Sequence, residues 1–180
     1  MKDIDKPLLL RALRRLGELA EENGVVLDVC LYGGALMMLA YDARKMTKDV
    51  DAIIRPAKEG FAWAVQVGGE LGLPEQWLND QVKMFVAPSE QVREIPWEGP
   101  GIRLTAPTAG YLLAMKALAC RDALPGYEGD LDDLRFLIRK MGIQSVDEIQ
   151  AVIDKYYPDD VMLPEHAALL QELIAEVRCT

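Results

Sequence analysis

Apolar positions recur along this chain with two different periods. From Asp5 to Asn23, Leu9, Leu13, Leu16 and Ala20 fall at helical spacing, and Asn23-Gly24 supplies a stop. Val25 to Tyr32 is rich in β-branched residues and predicts a strand. Gly33-Gly34 interrupts it, and Ala35 to Asp42 predicts a short helix. The polar run Arg44-Lys45-Met46-Thr47-Lys48 leads to a second strand, Val50 to Ile54. Ala57 to Leu73 predicts a helix with Phe61, Val65, Gly68 and Leu71 along one side. Pro74 to Asp80 reads as a loop or short helical turn. Gln81 to Val86 and Gly101 to Thr105 read as strands, with Gln91 to Ile95 a weaker candidate.

Beyond Thr105 the pattern is helical throughout. Thr105-Ala106-Pro107-Thr108 reads as a helix start, with Pro107 in the first turn. The helix from Thr108 to Ala123 is apolar almost all round, which predicts burial. Asp130-Leu131-Asp132-Asp133-Leu134 opens another helix, and Gly142 caps it. Ser145-Val146-Asp147-Glu148 is a capping-box sequence for a helix to about Tyr156, and Pro164 starts a last one to Val177. The fold class is therefore α+β: a small mixed sheet flanked by helices, followed by a helical C-terminal half. Residues 1–106 form the expected core, and 107–180 a helical region packed on it.

Composition narrows this picture only a little. The chain has 180 residues, 51% hydrophobic and 27% charged, as expected of a globular protein with a buried core. The net charge of −9 opposes nonspecific binding to nucleic acid. Cys30, Cys120 and Cys179 have no metal-like spacing, and their odd number suits a reducing cytosol. The start, Met1-Lys2-Asp3, reads as native, without a signal peptide, and no apolar run is long enough for a membrane span. The single histidine, His166, excludes a multi-histidine metal site and is expected at the surface.

Candidate chemistry gathers where strand, glycine pair, helix and strand follow one another. Asp49 and Asp51 are two apart, a spacing that points both side chains to one face of a strand. Adjacent like charges are unfavourable unless something offsets them, and Mg²⁺, which takes oxygen ligands, would do so. Gly33-Gly34 lets backbone approach a ligand closely, and the amides opening the next helix suit an anion. Taken singly, the glycines read as a turn and the aspartates as a solvated edge. Taken together, they describe a place where a phosphate chain and a metal ion meet. Lys48 either balances Asp49 or touches a phosphate. Lys116, alone in its apolar helix, either snorkels to water or grips an anion held against Asp49 and Asp51. Arg11, Arg14 and Arg15 read as a solvated face.

The order Gly33-Gly34, short helix, Thr47-Lys48-Asp49-Val50-Asp51 resembles the nucleotidyltransferase superfamily built on a polymerase-beta-like core. It looks most like the branch of abortive-infection type IV toxins and related uncharacterised bacterial nucleotidyltransferases. Trp77-Leu78-Asn79-Asp80 followed by Val82-Lys83-Met84-Phe85 carries the same likeness, as does Lys116, Arg121 and the Asp-x-x-Asp-Leu run at Asp130. The match covers roughly Tyr32 to Met141. It implies NMP transfer from an NTP to an acceptor hydroxyl, with Mg²⁺ or Mn²⁺ on Asp49 and Asp51 and the triphosphate on Gly33, Gly34 and Lys48. It implies that Lys116 grips the triphosphate, Arg121 supports it, and Asp130 or Asp133 supplies a late acid. The implied acceptor is an RNA 3′ end, tRNA in the toxin branch, or a protein, and the implied partner is an antitoxin protein. The chain departs from the superfamily on a later strand, because Gly101 to Thr105 carries no third acid; Asp80 and Glu94 are the other candidates. The alternative is a degenerate module of the same fold that binds nucleotide or a partner protein.

Overall fold

A computed structural model of the chain describes residues 3–87, 91–119 and 129–179. It is a mixed α+β fold with helices in its C-terminal half. The chain divides into two compact units. The first comprises Met1–Met84 and Val92–Ala106, and the second Phe85–Gln91 and Pro107–Thr180.

The first unit is built around a five-stranded sheet. In chain order its elements are β1 (Ile4–Asp5), α1 (Lys6–Glu22), β2 (Leu27–Leu31), α2 (Gly33–Tyr41), β3 (Met46–Thr47) and β4 (Val50–Arg55). Then come α3 (Ala57–Leu71), β5 (Leu78–Asn79), β6 (Val92–Glu94) and β7 (Ile102–Pro107). The sheet runs β5-β4-β2-β7-β6, while β1 and β3 pair separately. β2 is antiparallel to β4 and parallel to β7, and β5 is parallel to β4.

Alternation sorts the two faces of this sheet. Leu27, Val29, Leu31, Ala52, Ile54, Ile102 and Leu104 stand opposite one another in register and are buried. The other face carries Asp28, Cys30, Asp51, Ile53, Arg55, Arg103 and Thr105, all at least partly exposed. Asp28 and Arg103 form an ion pair on it at 2.7 Å.

Close backbone approach holds α1 and α3 in place. Leu9, Leu13, Leu16 and Ala20 of α1 are fully buried, as their spacing predicts. On α3 the buried side is Gly60, Ala64, Val67 and Gly68 rather than the expected Phe61 and Val65 side, and Val65 is exposed. The small residues win because they let the helix approach: a Cβ at Gly60 would stand 2.5 Å from Ile54 Cγ2. Between the two helices, Arg15 Nε meets Glu70 Oε2 at 2.8 Å. The hydrogen bonds from Arg15 and then Gln66 hold the Glu70 carboxyl below its usual range.

Gly17 makes the tightest approach. A Cβ there would land on the Pro100 carbonyl oxygen, and one at Gly101 on the Gly17 carbonyl. Gly101 also takes φ +56° and accepts the Leu27 N–H at 2.9 Å, so this contact sets the edge of β2 against β7. Gly17→Ala gains helix propensity, worth up to about 1 kcal/mol. Forcing a methyl into this contact costs about 1–3 kcal/mol. A net fall in the urea midpoint is expected; a rise would show that the loop yields freely.

The second unit holds α4 (Ala109–Ala119), α5 (Gly129–Met141), α6 (Val146–Tyr156) and α7 (Pro164–Arg178). Tyr111, Leu112, Leu113, Ala114 and Ala117 of α4 are buried, and α5 and α6 pack against this helix. Ser145 Oγ caps α6 by accepting the Glu148 N–H at 3.3 Å. Glu148 Oε2 reaches back to Gln144 N at 2.9 Å, one residue beyond the usual capping box. Gly142 takes φ +68° at the end of α5. Tyr111 Oη accepts the Ala87 N–H at 2.8 Å, and Gln91 O accepts the Thr108 N–H at 2.9 Å. These bonds tie Phe85–Gln91 into this unit.

Three sequence expectations are corrected. Gln81 to Val86 is not a strand: Gln81–Phe85 is a 3-10 helix without a buried residue. Asn79 Oδ1 accepts the Gln81 N–H at 3.0 Å and Asp80 O the Lys83 N–H at 2.9 Å, so side-chain turn chemistry overrides the alternation. Pro107 ends β7 instead of entering a helix, and α4 begins at Ala109; residues 120–123 of the expected helix lie outside the described residues. His166 is half-buried, with Nδ1 shielded from solvent and without a hydrogen-bond partner among the described residues. Among the described residues no helix is long and apolar enough to cross a membrane.

Candidate functional site

The Gly33-Gly34 turn is held against the start of β4. β2 ends at Leu31, and Tyr32 stays extended as the residue before α2. Tyr32 N donates to Asp51 O at 2.9 Å, which fixes the turn beside Asp51. Gly33 takes φ +56°, a conformation that favours glycine. A Cβ on it would stand 2.8 Å from Asp51 Oδ2. The carboxylate therefore lies directly over the bare Cα of Gly33.

Gly34 is pressed by two other side chains. Its Cβ would stand 2.5 Å from Thr47 Oγ1 and 3.0 Å from Arg44 Nη1. Thr47 is 7% exposed, and its hydroxyl donates to Asp49 O at 2.9 Å. Thr47 thus connects the glycine turn to the other aspartate.

Both glycines belong to α2, which starts two residues earlier than the sequence pattern suggests. The first bond of the helix is Leu36 N to Tyr32 O at 3.3 Å. The amides of Gly33, Gly34 and Ala35 therefore have no acceptor within the helix. The Tyr32 side chain does not cap this end, and its first turn holds no acid. Ala35, Leu36, Met37 and Met38 are buried, so the helix is anchored by its apolar body.

The aspartates arrive from the other side. Asp49 is exposed and precedes β4 by one residue; Asp51 is half-buried as the second residue of that strand. Trp77 sets the start of the strand. It is 1% exposed, donates Nε1–H to Ala64 O at 2.8 Å, and accepts the Val50 N–H at 2.6 Å. The residues after Trp77 form β5 in place of the expected loop, with Asn79 opposite Asp51. Asn79 Nδ2 donates to Asp49 Oδ2 at 3.4 Å. Trp77 is thus wedged into the core, and Asn79 gains a role beside Asp49.

The site thus joins Gly33, Gly34, Asp49 and Asp51, as their spacing suggests. Lys48 is exposed next to Asp49. Asp80 and Glu94 are exposed. Among the described residues no group of three or more His, Cys, Asp or Glu side chains is arranged to hold a metal. Two carboxylates nevertheless suit Mg²⁺ or Mn²⁺, because such an ion is commonly bound by one or two protein carboxylates plus substrate phosphates. The carboxylate over Gly33, beside the first turn of α2, fits that division of ligands.

Lys116, Asp130 and Asp133 form a second cluster, in the C-terminal unit. Lys116 Nζ meets Asp133 Oδ2 at 2.7 Å and Asp130 Oδ1 at 3.1 Å. The lysine side chain is 12% exposed and does not snorkel; its charge is paired within this unit by carboxylates of α5. Asp133 is 1% exposed and Asp130 44%. Arg121 and Cys120 lie outside the described residues.

Arg44, Thr47 and Asn79 are the site residues that sequence reasoning passed over. Thr47 and Asn79 do sit inside the motifs singled out above, but Arg44 carries no pattern of its own. No protein-family model, curated protein or solved structure matches this chain.

Proposed function

We propose that this chain is a metal-dependent nucleotidyltransferase that moves an NMP from an NTP to an acceptor hydroxyl. The observation that carries the reading is the Asp51 carboxylate held over Gly33, with φ +56°, at the start of α2. Asp49 and Asp51 would hold Mg²⁺ or Mn²⁺, which when bound neutralises phosphate charge and favours ionisation of the acceptor hydroxyl. The amides of Gly33 and Gly34 hold phosphate oxygens and cost no reorganisation, because the fold already aims them. Thr47 keeps Asp49 in register with the turn through its carbonyl, and Asn79 orients the Asp49 carboxylate. The acceptor oxygen forms a bond to the α-phosphorus, the bond to the bridging oxygen breaks, and pyrophosphate leaves. The hydroxyl proton passes to solvent.

The acceptor is an RNA 3′ end or a protein hydroxyl. A toxin role, restrained by an antitoxin protein, follows from the likeness to the abortive-infection branch. The net charge of −9 works against RNA, so an RNA acceptor calls for a local basic surface. A second reading is a nucleotide-binding module without turnover. It is favoured by the absence, among the described residues, of a third ligating side chain beside Asp49 and Asp51.

Incubation with each α-labelled NTP, Mg²⁺ or Mn²⁺, and total cell RNA plus protein separates the two. Label in RNA or protein, lost in the Asp49→Ala/Asp51→Ala variant, is the expected result. Nucleotide binding without label in either pool would favour the module.

A further inference from the structure

We propose that Arg44 is a direct phosphate ligand that makes the site selective for a nucleoside triphosphate. The inference rests on the reading of the Gly33-Gly34 turn as a nucleotide site and adds a residue to it.

The chain doubles back after α2. Asp42 takes φ 53° there, and Ala43 N donates to Met37 O at 3.0 Å. The connection then returns along the helix to pair β3 with β1, with Thr47 opposite Ile4. This return carries Arg44 and Thr47 from the far end of α2 to its first turn. Arg44 is half-buried there, with Nη1 3.0 Å from where a Gly34 Cβ would stand. Asp51 Oδ2 lies at 2.8 Å from the corresponding point on Gly33.

Two opposite charges therefore stand over consecutive residues of one turn. The carboxylate suits a cation and the guanidinium suits an anion, while the amides of α2 open between them. A nucleotide polyphosphate with its divalent ion presents both partners at that separation in sequence. Lys45 and Lys48, the other cations of the connection, are exposed, whereas Arg44 is half-buried over Gly34. Arginine also differs from lysine in kind: its planar fork binds two phosphate oxygens at once. Gly34 is the residue that permits this arrangement, because any side chain there would displace Arg44 or Thr47.

The test compares wild type, Arg44→Gln and Arg44→Lys, all with Asp49 and Asp51 intact. The probes are the four NTPs, the matching monophosphates and inorganic triphosphate, each with Mg²⁺, read by calorimetry. For NTPs bound by wild type, and for inorganic triphosphate, Arg44→Gln is expected to weaken binding about 10- to 100-fold. Monophosphate affinity should change by less than about threefold, since one phosphate offers far fewer oxygens to the fork. The melting temperature should hold. In transfer assays KM should rise while kcat persists, which a merely structural role would not produce. Should Arg44→Gln unfold, Arg44→Lys serves: it keeps the charge but loses the fork, and at least about fivefold weaker triphosphate binding is expected. Unchanged triphosphate affinity in the folded variants, or an equal loss for monophosphates and triphosphates, would overturn the proposal and leave the nucleotide site standing. A wild type that binds none of the four NTPs would overturn both.

Discussion

Asp51→Asn should abolish NMP transfer while the protein stays folded. Asn keeps the shape that lies over Gly33, so packing against the turn survives. What changes is charge, and with it the ability to hold a divalent cation beside the phosphates. Groups that merely orient a metal ligand already cost about 10–100-fold when removed, so loss of a ligand itself should cost at least about a hundredfold. Asp28→Asn is the matched control. Asp28 lies on the same sheet face, two residues from Cys30, and engages Arg103 rather than the turn. Wild-type transfer by Asp51→Asn would remove the Asp pair from the mechanism. Loss of transfer by both variants would point to a general effect on the sheet face instead.

The second large effect concerns stability. Lys116→Met should destabilise the C-terminal unit by about 3–5 kcal/mol, the usual cost of removing one partner from a buried ion pair. Asp133 is 1% exposed and sits 2.7 Å from Lys116 Nζ, so the variant removes the lysine from a carboxylate held away from water. Asp130, at 44% exposure, can rehydrate and suffers less. The paired change Lys116→Met/Asp133→Leu should restore most of the loss, because apolar replacement of a buried pair is often neutral or better. Helical circular dichroism is the suitable probe, since Trp63, Trp77 and Trp97 all belong to the first unit and tryptophan fluorescence reports there. A Lys116→Met protein as stable as wild type would mean that Asp133 is neutralised by other means. Full stability with lost transfer would assign Lys116 to chemistry rather than to the fold.

These two tests fall on residues of different legibility. Asp51 and Gly33 could be found without coordinates, because a glycine pair after an apolar run and two acids at spacing two are local patterns with a local physical meaning. Lys116 could be found as an anomaly, a charge in an apolar helix, but its partner could not. The choice between water and an anion depended on where α5 returned, and Asp130 and Asp133 were both on offer in the sequence. Arg44 gave no sign at all: its place over Gly34 follows from the chain reversing after Asp42 and pairing Thr47 with Ile4.

The same division holds for the fold. Helical spacing of Leu9, Leu13, Leu16 and Ala20, β-branched residues before Gly33, and caps at Ser145, Pro164 and Gly142 determined α1, β2, α6, α7 and the end of α5 without reference to the rest of the chain. Those signals are short-range, because burial of one face or satisfaction of an end amide acts within a few residues. Tertiary structure alone decided that Leu78–Asn79 joins β4 and that α3 buries its glycine side. Both turn on a partner far along the chain: Val50 for Trp77, Leu27 for Gly60. Close approach of backbones is available only to small residues, and which small residues use it depends on what the fold brings opposite them.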